Sequence, residues 1–231
     1  MKTITIHQPN YMPWSGFFHK WKLADTFVIL DTVQFHKNEW QNRNRIKTKQ
    51  GEQWVTVPVT YRFPQLIHEV RIAPNNWAKK QITSIEQAYA KSPYLDAYWQ
   101  PIKTILQQKH GRLVDLNVAL IRELGRMLDC TTPLHLASDL PVDVTNPTER
   151  LIQITQHLQG GVYLSGAEGR NYLQPSAFTG ANIKLLFQQC TPPKYPQMHG
   201  DFIPYLSVLD VLLNIGEDAK GLIANMGDMQ P

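Results

Sequence analysis

The chain has 231 residues, of which 42% are hydrophobic and 18% charged, and its formal net charge is +4. Those proportions exclude a disordered or fibrous chain, and the length suffices for a substantial core without disulfide or metal staples. No apolar run approaches the roughly 18 residues that begin to span a bilayer.

The opening MKTITIHQPNY lacks the apolar stretch and small-residue cleavage site of a secretory leader, and the two cysteines, Cys130 and Cys190, form no CxxC pair. The expectation is a cytoplasmic globular protein with no membrane span and reduced thiols. The mild positive charge suits an anionic small molecule such as a nucleotide. It falls short of the concentrated basic surface that a nucleic-acid binder carries. One stretch departs from this evenness: Lys37, Arg43, Arg45, Lys47 and Lys49 face Glu39 alone.

Residues 3–7 alternate Thr and Ile and read as a strand. Asn10, Pro13 and Gly16 break it. Phe17, Trp21 and Ala24 then recur at helical spacing over 17–24, and TFVIL (26–30) is a doubly buried strand ending at Asp31. Strand, helix and strand within about 30 residues form a βαβ unit with parallel strands. Ligands of open α/β sheets bind beyond the carboxyl ends of the strands. His7 and Asp31 are therefore expected on one rim.

Two strands follow at 54–59 and 68–72, with TYRFPQL suggesting a hairpin or bent pair. Helices are expected at 77–91, at 94–109 with a kink or division at Pro101, and at 113–128. The last of these shows one face in Leu116, Leu120, Leu124 and Met127. Asn146, Pro147 and Glu149 open another helix as cap, first residue and capping-box partner, and Gly160 and Gly161 end it. Residues 162–165 and 183–188 read as strands, 202–215 as an apolar helix, and the stretch from Gly216 carries little signal. The fold class is α/β: a Rossmann-like parallel-sheet core with a helical subdomain. It forms one domain, the core from 1–75 and 145–215 and the subdomain from 76–130.

Four clusters can carry chemistry. In IHQPNYMPWSG, His7 is a candidate general acid or base, and Gln8, Tyr11, Trp14 and Gly16 surround a loop and helix start that suit an anion. The competing reading of His7 is a hydrogen-bonded core histidine. Asp31, followed by Gln34, needs a partner or solvent at a strand end and could hold an amine, a ribose hydroxyl or Mg²⁺. The competing reading is a loop-capping carboxylate. Gln41, Asn42, Arg43 and Arg45 offer many fixed donors for phosphate or carboxylate, against a solvated face. Ser165 and Gly166 end a strand where glycine permits close backbone approach. Asp210 and Asn214 share a face of the last apolar helix and read as bridging buried backbone. No cluster has metal-ligand spacing, and no GxGxxG, P-loop or nucleophile elbow is present.

Taken together, IHQPNYMPWSGFFHKWKLADTFVILDTVQFHKNEWQNRNRIKT, WVTVPV, Trp77 opening a helix, TERLI, YLSG and FIPYLSVLDVLLNIG resemble the WbqC-like family, in order over residues 3–216. The resemblance carries over His7, Gln8, Pro9, Tyr11, Pro13, Trp14, Gly16, Asp31, Gln34, Phe35, Gln41, Asn42, Arg43, Arg45, Ser165 and Gly166. The chain departs from the family where Lys80 precedes Gln81 instead of histidine, and where Asp129 and Cys130 replace a Gly-Ile pair.

The resemblance implies a role in bacterial O-antigen or other surface-polysaccharide synthesis. The expected activity is a transferase or ligase joining an amino acid, glycine foremost, to a nucleotide-linked or lipid-linked sugar. A weaker resemblance is to Rossmann-like nucleotidylyltransferases that activate carboxylates. Their HxGH signature is absent, with only Gly16 and His19 in a similar region, and ATP with Mg²⁺ would be the cofactor. From another class comes a non-catalytic nucleotide-sugar or RNA-binding protein. Expected partners are thus an amino acid, nucleotide or nucleotide-sugar.

Overall fold

The computed structural model describes residues 1–231. Strand β1 (Thr3–His7) leads through helix α1 (Ser15–Lys22) to β2 (Thr26–Ile29). The two strands pair in parallel, with His7 opposite Ile29, as the βαβ reading requires. An antiparallel hairpin follows, β3 (Arg43–Thr48) with β4 (Gly51–Thr56), and then a short antiparallel pair, β5 (Val59–Thr60) and β6 (Arg71–Ile72).

Three helices come next: α2 (Trp77–Ala88), α3 (Leu95–Gln107) and α4 (Leu113–Met127). The chain returns to the sheet as β7 (Leu134–Leu136) and continues as α5 (Pro147–His157), β8 (Val162–Ser165), α6 (Pro175–Gly180) and β9 (Lys184–Cys190). Helices α7 (Val208–Ile215) and α8 (Asp218–Ala224) and strand β10 (Gly227–Gln230) follow.

The central sheet has six strands in the order β10-β9-β8-β1-β2-β7, all parallel except β10. From β1 the chain moves to β2 on one side; from β8 it moves to β9 on the other. The boundary between β1 and β8 is therefore the topological switch point, where crevices open beyond the carboxyl ends of such sheets.

Strand alternation assigns the faces. Ile4, Ile6 and Val28 pack with Leu151, Ile152 and Phe178 of α5 and α6. On the opposite face, Phe17, Phe18 and Trp21 of α1 meet Phe27 and Ile29, and one continuous core runs on into α2, α3, α4, α7 and α8.

Several elements differ from the sequence reading, each for a local reason. The donor-rich stretch, for which the sequence predicts no regular element, runs into strand β3 at Arg43, whose buried positions are Asn44, Ile46, Lys47 and Thr48. Polar residues at inward positions hid its alternation. Helix α3 runs unbroken through Pro101. The helix expected over 202–215 starts only at Val208: Pro204 removes a donor, Tyr205 sits at φ +59°, and Ser207 caps the helix by accepting from Leu209 N at 3.3 Å. Asn146 caps α5 by accepting from Glu149 N at 3.0 Å, while the Glu149 carboxylate accepts from Gln153 in place of closing the box.

Candidate functional site

At the switch point, β1 and β8 pair only as far as Thr5 opposite Leu164. One residue beyond, the Ile6 carbonyl accepts a 3.1 Å hydrogen bond from Lys20 Nζ. Lys20 lies on α1 at the i+3 position of the stripe formed by Phe17, Trp21 and Ala24, a slot that packs against the sheet. Helical side chains lean back toward the helix N-terminus, so its stem runs toward the strand ends.

Lys20 is 2% exposed and forms no salt bridge. One carbonyl is its sole hydrogen-bond partner, though an ammonium has three donors. Burial pushes its pKa down to about 7, with the nearby Cys190 thiol opposing the shift. A lysine whose neutral form is within reach near neutral pH can take a proton, attack a carbonyl or face an anion.

His7 occupies the same face of β1. Its ring packs edge-on against Phe17 with centroids 4.9 Å apart. Nδ1–H donates to the Gln8 carbonyl at 3.0 Å, which leaves Nε2 as an acceptor. Burial and the Lys20 charge lower its pKa to about 3. The imidazole is therefore neutral across the physiological range. His19, by contrast, is a core histidine: Nδ1 accepts from Gln188 at 2.8 Å and Nε2 donates to the Gly227 carbonyl at 3.3 Å.

The loop after β1 is tied to the segment entering β3. Tyr11 N donates to the Trp40 carbonyl at 2.8 Å, and Asn44 Nδ2 donates to the carbonyls of Tyr11 and Met12 at 3.1 and 2.7 Å. Gln41 Nε2 donates to Gln8 Oε1 at 2.7 Å, so Gln41 orients Gln8 beside His7. Asn42 fastens backbone, donating to the Val57 carbonyl and accepting from Asn38 N. Tyr11 is fully buried and hydroxyl-bonded to Gln81, which makes it a strut between this loop and α2.

The Trp14 indole lies over Gly16; a Cβ at Gly16 would come within 2.1 Å of its ring, so glycine is required for the stack. Tyr205 also packs against Trp14, tilted, with ring centroids 5.2 Å apart.

On the hairpin, Arg43 places its guanidinium 4.1 Å from the centroid of Trp54, and Arg45 pairs with Glu52 at 2.6 Å between Trp40 and Trp54. Trp40 and Trp54 are 41% and 44% exposed. The Nε of each arginine is buried without an acceptor. Trp40 and Trp54 also pack on each other with centroids 5.6 Å apart, and Arg43 covers a face of Trp54, so the cluster is closed on itself and its two cations give it a positive surface that suits an anion.

Three candidates point elsewhere. Asp31 sits on the expected rim, but at the β2–β7 boundary and 1% exposed. Its Oδ1 accepts from Ser138 N at 2.9 Å and its Oδ2 from Ser138 Oγ at 2.7 Å. That is the loop-capping alternative. Ser165 faces α5 and α6 with Tyr163, beneath Gly169, on the sheet face opposite His7. Gln34 donates to the Phe35 carbonyl. Gly166 stands at the end of β8 with open space where a side chain would be. No three His, Cys, Asp or Glu side chains converge as a metal cage.

The sequence profile of the WbqC-like protein family matches residues 8–221, which includes the β1–α1 loop, Lys20 and the arginine hairpin. The chain belongs to the WbqC-like protein family. The uncharacterized protein Rv1507c of Mycobacterium tuberculosis (strain ATCC 25618 / H37Rv) is 35% identical to this member over 223 residues, covering 95% of this chain and 96% of that protein. No solved structure matches this WbqC-like chain. No helix in it is long and apolar enough to cross a membrane.

Proposed function

We propose that the protein is a transferase or ligase that joins an amino acid, glycine foremost, to a sugar in bacterial surface-polysaccharide synthesis such as that of O-antigen. Family membership supports the polysaccharide setting. The observation that carries the chemistry is Lys20, a buried amine without a counterion beside a neutral imidazole at the β1–β8 switch point.

In this reading the attacking amine of the sugar donates one N–H to His7 Nε2. Neutral Lys20 takes the other proton as the nitrogen bonds to the acyl carbon of the activated amino acid. The C–O bond to the acyl carrier breaks, and the carrier oxygen leaves with the electron pair. Lys20, now ammonium, stabilises the negative charge that develops on the acyl oxygen. Arg43 and Arg45 hold the carrier's phosphate, with its planar part against the exposed surface of Trp40. If ATP activates the carboxyl, the same arginines would hold its phosphates, and Mg²⁺ would enter with them. Asp31 contributes by fixing the rim to Ser138.

The test is mass spectrometry of purified protein incubated with glycine, ATP and nucleotide-linked amino sugars. The expected product is a conjugate one amino-acid residue heavier than the sugar, absent with Lys20→Met. Arg43→Ala is expected to raise KM about tenfold or more, the loss of a charge-assisted contact. No conjugate from the wild type, or full turnover by Lys20→Met, overturns the proposal. A second reading, carboxylate activation alone, draws support from the parallel sheet and its switch point; pyrophosphate release without any acceptor sugar distinguishes it. A thermal shift with a nucleotide-sugar and no product marks a binder instead.

A further inference from the structure

A concavity of about 1170 Å³ opens on the helical layer between the β6–α2 connection and the C-terminal end of α3. None of its lining residues belongs to the rim site. Its apolar floor is Ile72, Trp77, Ile82 and Leu106, and its ionisable side chains are Arg71, Lys79, Lys103, Lys109 and His110. No carboxylate lines it.

Two of the five basic groups are committed. Lys103 pairs with Glu86 at 2.7 Å, and His110 Nε2 donates to the Ile105 carbonyl at 3.0 Å. Arg71, Lys79 and Lys109 form no ion pair. Lys79 also stands in the first turn of α2, which carries no acidic residue. That is the positive end of a helix, where a cation is disfavoured and an anion is held by both charges. A concave, low-dielectric wall concentrates the positive potential further.

We propose that this groove binds a small molecule carrying a phosphate or diphosphate on an apolar or aromatic body. The anion lies among Arg71, Lys79 and Lys109, and the body lies on Trp77, Ile82 and Leu106. At about 1170 Å³ it lies just above the roughly 300–1,000 Å³ of drug-sized and cofactor-sized ligand pockets, leaving room for both an anion and an apolar body. The assignment does not rest on the reaction proposed at Lys20. Helix α2 lines the groove with Lys79 and Ile82 and bonds Tyr11 of the rim loop through Gln81, so an occupant would sit one helix away from the switch point.

Two sources share the ligand chemistry, a nucleoside diphosphate and a prenyl diphosphate. Calorimetric titration of the full chain with UDP, geranyl diphosphate and inorganic pyrophosphate separates them. At least one organic diphosphate is expected to bind more tightly than pyrophosphate, and the tighter of the two identifies the body. Its affinity should fall about tenfold or more in the Lys79→Ala/Lys109→Ala double variant, as loss of charge-assisted contacts requires. Failure of all three probes to bind overturns the proposal, as does wild-type affinity in the double variant. Loss of binding in Arg43→Ala with wild-type binding in the double variant would move the ligand to the rim and overturn it equally.

Discussion

Lys20 and Lys47 are each 2% exposed, and their surroundings are opposite. Lys47 Nζ donates to Gln197 Oε1 and to the carbonyls of Gly200 and Asp201. Nearby, Asp210 accepts from Tyr89 and Tyr195 hydroxyls at 2.6 and 2.7 Å and from Gln197 Nε2 at 2.9 Å. Every charge in that network is answered, and it pins the 195–203 loop between β3 and α7. Lys20 has one carbonyl and no carboxylate. A buried charge completed by the protein serves architecture. One left incomplete where the strands end lowers stability, a cost that proteins carry at functional positions.

The sharpest way to break this contrast is to remove both ammonium groups in turn. Lys47→Met should lose on the order of 3–5 kcal/mol, because its carbonyl acceptors and Asp210 lose their cation. Lys20→Met should move the other way, gaining on the order of 2–4 kcal/mol at neutral pH while losing activity, from about 1.4 kcal/mol per pKa unit relieved. The gain is pH-dependent. The folded value of Lys20 is about 7 against 10.5 for an exposed lysine, so the unfolded chain holds the proton more tightly. The penalty on the folded state is full below about pH 7 and fades as pH rises toward 10.5. Urea midpoints of the two proteins should therefore converge as pH rises, and a constant gap would contradict the assignment.

Asp31→Ala strips Ser138 of both partners and should cost about 2–3 kcal/mol, while the rate of the protein that stays folded changes by less than about threefold. A rate loss of several hundredfold with stability intact would restore Asp31 to the chemistry. Gly16→Ala drives a Cβ into the Trp14 ring and should cost about 1–3 kcal/mol, with a shift in tryptophan emission as the indole is displaced. The smallest effect is expected of Glu52→Gln. An exposed ion pair contributes below about 1 kcal/mol, and freeing Arg45 should tighten binding of an anionic donor a few-fold.

The sheet core was legible because its signals are local. Alternation in 3–7, a continuous apolar run in 26–30 and a capped helix at Asn146 each name one conformation, and the parallel pairing of β1 with β2 follows. The rim position of His7 was legible for the same reason. Lys20 was not singled out, although its place at i+3 of the α1 stripe was the available signal: a lysine in a core slot. Asp31 and Ser165 read as site residues by chain position. Their side chains are directed by partners more than a hundred residues away and by the strict alternation of β8, which turns Ser165 to the far face. Strand β10 and helix α8 were hidden because each is short and takes its stability from tertiary packing, β10 on the edge of β9 and α8 through Ala219 and Ile223.

The central claim is that Lys20 is an uncompensated amine inside the folded protein. Titration of ¹³C-labelled lysine side chains by NMR, with Lys20 assigned by its absence in Lys20→Met, reads this directly. A midpoint near 7 is the expected result. A midpoint near the 10.5 of an ordinary lysine would mean that the charge is solvated or paired, and would contradict the account.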